Sequence, residues 1–267
     1  MKTIGFIGAG QMAKALAAGI SRTSGNDVRL IISDPSDSAC ESFQQLIGKS
    51  SQVERVADNQ QLVSVSDLVI LAVKPHILQA AVEEVDFEKK SPLVVSIIAG
   101  VQLYQLERLT GSKRIIRVMP NTPCLIGKGA SAMSAGEDVE QSDLDQVKAI
   151  LGSVGLVVDV SETLLDSVTG LSGSGPGYVF TFIEALIDGA VLTGMPRTTA
   201  RQLAIQTVIG AASMVEETGE HPGVLRDRVT SPGGTTIEGL KALEENAFRD
   251  AVMSAVRAAA ERSKDLG

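Results

Sequence analysis

Six residues near the start of the chain have the types and spacing of a phosphate-binding turn. Gly8-Ala9-Gly10-Gln11-Met12-Ala13 has the form G-x-G-x-x-A, between an apolar run and a helical pattern at Met12–Ser21. Gly8 permits a tight turn, Gly10 lets a pyrophosphate approach the backbone, and the small Ala13 lets the helix pack on the strand. Amides at the helix start would face the phosphates. The context predicts a dinucleotide site, and the alternative is a glycine turn that binds nothing.

A second candidate position lies where the next apolar run ends, at Ser33 and Asp34. An acidic side chain at this strand tip accepts hydrogen bonds from the ribose 2′-hydroxyl of NAD and repels the 2′-phosphate of NADP. No Arg or Lys stands beside Asp34, so NADH is predicted to serve at least as well as NADPH. The alternative is that Asp34 only begins a turn with Pro35.

The third candidate is the loop Ala72-Val73-Lys74-Pro75-His76, which follows another apolar run. Ligands of open parallel sheets bind beyond the carboxyl ends of the strands, so this loop should border the cofactor. Pro75 stiffens it. Lys74 could meet a phosphate or carboxylate, although a lone lysine is more often a solvated surface charge. His76 is a candidate acid or base, but it has no placed partner, which favours a structural role.

A group of small and hydroxyl residues lies far downstream, at Val229-Thr230-Ser231-Pro232-Gly233-Gly234-Thr235-Thr236-Ile237, ahead of a helical pattern at Glu238–Leu243. Ser, Gly and Thr before a helix leave several amides and hydroxyls free to bind an anion. The segment therefore predicts a site for a carboxylate or a phosphate. A capped loop whose glycines serve only its geometry is the open alternative.

The elements that must position these residues follow from the hydrophobic pattern. Short apolar runs alternate with helical patterns up to about residue 160, as in consecutive strand-helix-strand units. Because the runs are apolar at nearly every position, they predict a parallel sheet buried on both faces. The predicted strands are Thr3–Ile7, Val28–Ser33, Leu68–Val73, Leu93–Ile98 and Arg114–Val118, with Gly129–Ser134 and Leu156–Val160 as weaker candidates around a helix at Asp143–Ser153. The strand signals stop after Ser161, which predicts an α/β domain over residues 1–161 and an all-α domain over 162–267.

The second part is predicted to hold five helices. Pro176 opens one that ends near Thr193, and Pro196 opens another that ends near Gly219. Two apolar stripes run along the helix from Pro196: one holds Ala200, Leu203, Ala204, Thr207, Val208 and Ala211, and the other Ile205, Ile209 and Ala212. A helix with two apolar faces needs partners on both. An intertwined homodimer is predicted, and a helix central to its own bundle is the alternative.

Composition excludes several classes of partner. With 24 Lys and Arg against 32 Asp and Glu, a net charge of −8, nucleic acid and anionic membranes are poor partners. The most apolar stretch, Gly177–Met195, carries Glu184 and Asp188 and is predicted to fall short of membrane-spanning length. The start of the chain does not resemble a secretory signal. Cys40 and Cys124 are too few for a disulfide framework or a metal cage, which fits a reducing cytoplasm.

Taken together, the motifs resemble those of the pyrroline-5-carboxylate reductase family, in that family's order and over nearly the whole chain. The segments that carry the resemblance are Phe6-Ile7-Gly8-Ala9-Gly10-Gln11-Met12-Ala13, Ala72-Val73-Lys74-Pro75, Met119-Pro120-Asn121-Thr122-Pro123, Leu171-Ser172-Gly173-Ser174-Gly175-Pro176 and Thr230-Ser231-Pro232-Gly233-Gly234-Thr235-Thr236. The resemblance implies a Rossmann-type parallel sheet domain followed by a helical dimerisation domain, with each active site completed by the partner's helices. It also implies reduction of 1-pyrroline-5-carboxylate to L-proline by NADPH or NADH.

The resemblance also implies roles for single residues. The cofactor contacts it implies are Gly8, Ala9, Gly10, Gln11, Met12, Asn59, Ala72, Val73, Lys74, Pro75 and Ala99, and we add Ile7, Ser33 and Asp34 at the strand ends. The substrate contacts it implies are Ser231, Gly234, Thr235 and Thr236. Arg228 is a departure, because some relatives carry a smaller amide residue there that touches the substrate, and its role stays open. Cofactor preference is not carried over, since Asp34 is not universal in the family.

The chemistry needs little beyond placement, because the reduced nicotinamide supplies the hydride and the imine carbon accepts it. Amides around Gly234 and Thr235, with the Ser231 hydroxyl, are predicted to hold the carboxylate. Thr236 is the predicted catalytic residue, donating a hydrogen bond to the ring nitrogen. An iminium that arrives protonated requires no strong general acid.

Two other functions compete with this interpretation. A β-hydroxyacid dehydrogenase shares the two-domain plan and a G-x-x-G-x-G turn, here Gly170–Gly175, but its catalytic lysine would fall at Val179. A cofactor-binding sensor without turnover would leave the segment at 229–236 without a purpose.

Overall fold

The computed structural model describes residues 2–24, 27–47 and 53–266, and its first part is built on one eight-stranded sheet. The strands are β1 (Lys2–Ile7), β2 (Val28–Ser33), β3 (Val53–Arg55), β4 (Leu68–Leu71), β5 (Leu93–Ser96), β6 (Ile115–Met119), β7 (Gly129–Ala135) and β8 (Gly155–Asp159). Their order is β3-β2-β1-β4-β5-β6-β7-β8. All neighbours pair in parallel except β6 and β7, which are antiparallel. The predicted α/β fold with a mostly parallel sheet is therefore confirmed.

The sheet is buried on both faces, which is why its central strands are apolar at successive positions. Ile4 and Phe6 of β1 belong to one buried cluster, whereas Ile7 belongs to another. In β4, Ile70 belongs to the first cluster and Val69 to the second. Because side chains alternate along a strand, the two clusters lie on opposite faces of the sheet.

One strand escaped the sequence analysis. β3 has only three residues, and its burial falls from partial at Val53 to exposed at Glu54 and Arg55. Such a short, half-polar edge strand carries no apolar run from which it could be recognised. Its placement next to β2, with Arg55 opposite Ile32, becomes important for the cofactor site.

Helices cover the sheet of the first unit. They are α1 (Gln11–Ser24), α2 (Asp37–Ile47), α3 (Asn59–Val65), α4 (Leu78–Val82), α5 (Leu103–Thr110), α6 (Gln141–Gly152) and the single turn α7 (Leu165–Val168). Helix α1 contributes the fully buried Ala13 and Leu16 to the core, so the small residue at position 13 packs as predicted. Both cysteines, Cys40 in α2 and Cys124 after β6, are buried and free.

The second unit is helical, as predicted. Its described helices are α8 (Gly175–Leu192), α9 (Arg197–Thr218), α10 (Pro222–Arg228) and α11 (Thr235–Glu245), followed by α12 (Phe248–Leu266), which begins in this unit. Pro196 caps the start of α9, and Gly219 ends it with φ of +64°, a left-handed conformation that favours glycine.

The division of the chain by packing differs from the boundary predicted after Ser161. The first compact unit continues to Ser174 and takes in the chain from Arg257 onward, and the second is Gly175–Val256. A buried polar network accounts for the return of α12: the Ser263 hydroxyl donates to Asp166 Oδ1 at 2.7 Å, and Arg117 contacts Asp166 and Glu162 at 3.8 and 3.1 Å. Such contacts between residues distant in sequence cannot be deduced from a strand pattern.

The apolar helical stretch is longer than predicted. Glu162–Leu192 runs for 31 residues and is long and apolar enough to cross a membrane by length and composition alone. The prediction made from Gly177–Met195 was therefore wrong on length, because helical structure begins well before Gly177. Core helices of soluble proteins can pass the same test.

Candidate active site

Three strand ends meet at the glycine-rich turn. The Gly8 amide donates to the Ser33 carbonyl at 2.9 Å, and the Ala72 amide donates to the Ile7 carbonyl at 2.9 Å. Because β2, β1 and β4 are neighbours and parallel, their carboxyl ends lie at one edge of the sheet. This is the edge at which open α/β sheets bind their ligands.

The turn itself has the backbone that the glycines were predicted to provide. Gly8 has φ of +103°, and a Cβ atom there would lie 2.8 Å from the Ala72 carbonyl oxygen. Only glycine fits this position without strain. A Cβ atom on Gly10 would meet nothing closer than the same oxygen at 3.9 Å, so the space above Gly10 is open. A bound pyrophosphate requires this open approach to the backbone, and the turn therefore fits a dinucleotide.

A cavity of about 620 Å³ opens at this edge. Ten of the proposed cofactor residues line it: Ile7, Gly8, Ala9, Gly10, Ser33, Asp34, Asn59, Ala72, Val73 and Lys74. Seven further residues that were not predicted also line it: Pro35, Arg55, Ala57, Asp58, Ile77, Ala80 and Ala81. The structure thus brings together most of the proposed cofactor site. The lining residues that were not predicted come from the loop after β2, from β3, from the start of α3 and from the segment at α4.

Four proposed contacts lie outside this lining: Gln11, Met12, Pro75 and Ala99. Gln11 is exposed in the first turn of α1, whereas Met12 packs against the core. Ala99 follows β5 and is half-buried. His76 is exposed within a short helical turn, Pro75–Ile77, and is not part of the lining either. These positions neither support nor remove the roles assigned to the four residues.

Asn59 is held in place from two directions. It is the first residue of α3, whose N-terminus is capped by Asp58 through a bond from the Gln61 amide at 2.7 Å. Its own side-chain amide donates to the Ala81 carbonyl in α4 at 2.8 Å. Asn59 therefore links the two helices that form the wall of the cavity.

Asp34 makes the turn that was one of its two alternatives in sequence, and its contact with the ribose stays a prediction. Its Oδ2 accepts a hydrogen bond from the Ala9 amide at 2.8 Å, and its Oδ1 accepts one from the Ser36 amide at 2.8 Å. The second bond is the Asx-type turn expected of Asp-Pro, and the first ties the tip of β2 to the phosphate-binding turn. The carboxylate also lines the cavity.

The statement that no Arg or Lys stands beside Asp34 is wrong in three dimensions. Arg55 of β3 lines the same cavity, and its Nη2 donates to the Asp34 carbonyl oxygen at 3.3 Å. Its Nη1 donates to Asp37 Oδ1 at 2.5 Å. The error arose because β3 was not predicted. Without this strand, nothing in the sequence indicated that Arg55 lies at the tip of β2.

Cys40 contacts the backbone at the tip of β2 but adds no charge there. Its Sγ contacts the Asp34 carbonyl at 3.6 Å. Burial raises the pKa of the Cys40 thiol, and the nearby Arg55 offsets this only in part. Among the described residues, Asp34, Asp37 and Arg55 are the charged side chains linked by hydrogen bonds at the tip of β2.

The downstream loop forms a turn at the start of α11. The Gly234 amide donates to the Ser231 carbonyl at 3.1 Å, and Gly233 has φ of +65°. A Cβ atom on Gly234 would lie 2.3 Å from Ser231 Oγ, so glycine is needed for the serine side chain to fold over the turn. Thr235 and Thr236 occupy the first turn of the helix, where backbone amides lack intrahelical partners. This geometry suits a small anion.

Arg228 has a structural partner within its own unit. Its Nη2 donates to Glu220 Oε1 at 2.6 Å, and its Nη1 donates to the other carboxylate oxygen. This ion pair links the last residue of α10 to Glu220, which lies just before the helix. The charge of Arg228 is therefore paired.

The fold and the turn define a class: a dinucleotide-dependent oxidoreductase whose sheet domain is followed by a helical part. The model of a family described as pyrroline-5-carboxylate reductase dimerisation matches residues 162–266, and one described as NADP oxidoreductase, coenzyme F420-dependent, matches residues 3–100. The chain is 45% identical to the pyrroline-5-carboxylate reductase of Synechocystis over 99% of its length and 98% of the relative's. It belongs to the pyrroline-5-carboxylate reductase family.

Other relatives agree over the same extent. The pyrroline-5-carboxylate reductase of Escherichia coli is 42% identical, covering 99% of this chain and 98% of the relative. A crystal structure of the Plasmodium falciparum pyrroline carboxylate reductase with NADP bound superposes with a TM-score of 0.88 at 36% identity, covering 100% of this chain and 98% of that one. The recognition made from the motifs is confirmed, and the β-hydroxyacid dehydrogenase alternative is set aside.

Proposed function

We propose that this chain reduces 1-pyrroline-5-carboxylate to L-proline with a hydride from NADPH or NADH, the last step of proline biosynthesis. The observation that carries the proposal is the 45% identity to a reductase over 99% of the chain. The open approach above Gly10, which a pyrophosphate needs, supports it independently.

The residues of the first unit hold the cofactor. Gly8 to Met12 present backbone amides to the pyrophosphate, at the start of α1. Ser33 and Asp34 meet the adenosine ribose, while Asn59 and the loop Ala72–Pro75, with Ile7 and Ala99, form the walls along the strand ends. When bound, the reduced nicotinamide supplies the hydride.

The residues of the downstream loop hold the substrate. The amides of Gly234 and Thr235, with the Ser231 hydroxyl, bind the carboxylate, because a helix N-terminus favours an anion. Thr236, the catalytic residue, donates a hydrogen bond to the lone pair that forms on the ring nitrogen as the hydride is transferred. The imine carbon accepts the hydride, and the nitrogen keeps the proton with which the iminium arrives. Orientation rather than acid catalysis supplies the rate enhancement.

Self-association belongs to this function. None of the 18 residues of α8 is fully buried within the chain, although the helix is strongly apolar. We infer a homodimer or a larger oligomer, in which helices of the partner subunit complete each active site. The apolar stretch at Glu162–Leu192 is then explained by a subunit interface rather than by a membrane. With its net charge of −8, the chain works as a soluble cytoplasmic enzyme without nucleic acid or membrane partners.

The test is a coupled measurement on purified protein. We expect the absorbance of NADH or NADPH to fall only when pyrroline-5-carboxylate is added, with one proline formed per cofactor oxidised. Binding of cofactor without turnover would favour the sensor alternative. The matched control is Gly8→Ala, in which the added Cβ collides with the Ala72 carbonyl and should abolish cofactor binding.

A further inference from the structure

The adenosine end of the cavity contains a cation whose purpose the proposed function does not explain. Arg55 extends from the edge strand β3 into the cavity lining, next to Asp34 and Pro35. Its side chain is 41% exposed, so it keeps access to solvent and to a ligand. A buried structural arginine would not have this freedom.

The hydrogen-bond partners of Arg55 leave its guanidinium available to bind a ligand. One nitrogen donates to the carbonyl of Asp34 and another to the carboxylate of Asp37, which is 80% exposed. Ion pairs at this exposure add little net free energy, because water screens them and both side chains lose freedom. A doubly charged phosphate in the same corner can therefore take the place of Asp37.

The carboxylate of Asp34 is oriented differently. Both of its oxygens accept backbone amides, from Ala9 and from Ser36. These bonds hold Asp34 against the phosphate-binding turn, where its negative charge opposes a 2′-phosphate. Among the residues that the structure describes, Arg55 is the one cationic side chain in the cavity lining at this end. Lys74, the other described cation in that lining, follows β4 at the far side of β1.

We propose that Arg55 is the residue that binds the 2′-phosphate of NADP(H), and that Asp37 competes with this phosphate for the guanidinium. The inference rests on the proposed use of NAD(P)H. A guanidinium matches the geometry of a phosphate through two parallel hydrogen bonds. Asp34 serves the 2′-hydroxyl of NAD(H), so the two residues give the site capacity for both cofactors. Asp37 determines how strongly the phosphate is favoured.

The test measures binding rather than activity. Calorimetric titration of the purified full-length protein with NADP⁺ and NAD⁺ gives both affinities, and adenosine 2′,5′-bisphosphate against AMP isolates the adenosine end. We expect Arg55→Gln to weaken NADP⁺ and the bisphosphate by about tenfold to a hundredfold, the range of a hydrogen-bonded charge. NAD⁺ and AMP should change less than about twofold.

The matched control is Arg29→Gln. Arg29 of β2 also pairs with a carboxylate of β3, Glu54, at similar exposure, but it does not line the cavity. Its loss changes the net charge equally and should leave the ratio of NADP⁺ to NAD⁺ affinity unchanged. Asp37→Asn should raise NADP⁺ affinity about twofold to tenfold. This gain should shrink in the Arg55→Gln background, because the competition needs the guanidinium.

The outcomes separate the two proposals. If Arg55→Gln weakens NADP⁺ and NAD⁺ equally, or neither of them, the assignment of Arg55 is overturned while the cofactor site stands. If the unaltered protein binds none of the four ligands, the cofactor site itself is wrong, and the assignment of Arg55 falls with it. A preferential loss of the phosphorylated ligands, with the Arg29→Gln control unchanged, supports the proposal.

Discussion

At the scale of single residues, we expect the tip of β2 to determine which cofactor the site prefers. Asp34 accepts the Ala9 and Ser36 amides while lining the cavity, so its charge has a fixed position. Asp37 and Arg55 add one negative and one positive charge beside it. These three described side chains sum to one negative charge, so we expect NADH to remain competitive even with an arginine present.

We predict that NADH supports turnover with a kcat/KM comparable to or above that of NADPH. Asp34→Asn should move the ratio toward NADPH, because it removes the charge that faces the 2′-phosphate and keeps one oxygen as an acceptor. Steady-state kinetics with both cofactors measures the ratio. A strong NADPH preference of the unaltered enzyme would contradict this prediction without affecting the binding role of Arg55.

Thr236 is the residue at which the proposed chemistry can be measured. We predict that Thr236→Val lowers kcat about threefold to tenfold, because a neutral hydrogen bond contributes about 0.5–1.5 kcal/mol. NADH affinity should be nearly unchanged, since valine keeps the shape and removes only the donor. Loss of a general acid would cost on the order of a hundredfold or more.

The matched control is Thr163→Val, which alters an exposed threonine bonded to Ser161 in the other unit. It should reduce substrate as fast as the unaltered enzyme. If Thr236→Val does so as well at saturating substrate, Thr236 does not bind the ring nitrogen.

At the scale of elements, one ion pair ties the first turn of α6 to the start of β6. Arg114 Nε and Nη2 donate to the two oxygens of Asp143 at 2.8 and 2.6 Å, and Asp143 is 3% exposed. The Glu140 amide donates to the same carboxylate at 3.2 Å, which closes the capping box of α6. The hydrogen bond from Arg114 is the main reason that the pKa of Asp143 lies below its ordinary value.

This pKa predicts an acid dependence of stability. A carboxyl whose folded-state pKa is depressed stabilises the fold fully above its unfolded pKa, ~4, and loses the contribution as pH falls through the folded pKa. Asp143→Asn should lower the free energy of unfolding at neutral pH by about 1–3 kcal/mol. It should also flatten the fall in stability below about pH 4.

Denaturant titration at several pH values measures both effects. Asp145→Asn is the control, because Asp145 lies on the same helix, is exposed and contacts only Gln141 among the side-chain bonds found in the described residues. Equal losses for the two variants would show that the buried ion pair contributes nothing specific.

At the scale of the whole molecule, the second unit exposes many of its large apolar side chains. Leu203 and Ile209, one from each stripe of α9, are both 53% exposed, and only Ala200 and Ala204 of this helix are buried. The alternative of a helix central to its own bundle therefore has no support in the described packing. Removing such surface from water contributes roughly 25 cal/mol per Å² of apolar area, and the lost freedom of the two chains opposes this gain.

We predict that the protein does not exist as a stable monomer. Light scattering of dilute protein should give at least twice the chain mass of 27.9 kDa. Ile209→Glu should dissociate the oligomer and abolish activity, because a charge in an apolar interface stays unpaired. Met253→Glu, which alters another exposed side chain of the second unit, maps how far the interface extends. A folded, active species of one chain mass would refute both the oligomer and the shared active site.

The sequence by itself was enough for the features that depend on local patterns. Neighbouring residues are enough to predict the buried strands, the glycine turn and the helices that start at prolines. The reason is that backbone conformation, and the burial of a strand on both faces, leave a local pattern in the sequence. The ordered series of motifs was likewise enough to identify the family, as the relatives confirm.

Only the tertiary structure decided which residues distant in sequence meet. Arg55 reaches Asp34 through a three-residue edge strand that has no apolar signal, and Ser263 returns to Asp166 across 97 residues. The bond from the Ala9 amide to the Asp34 carboxylate likewise joins two segments that are 25 residues apart. The physical reason is the same in each case. Hydrogen bonds and ion pairs between distant segments depend on how the helices and strands pack. Polar residues at the edge of a sheet leave no periodic pattern from which that packing could be deduced.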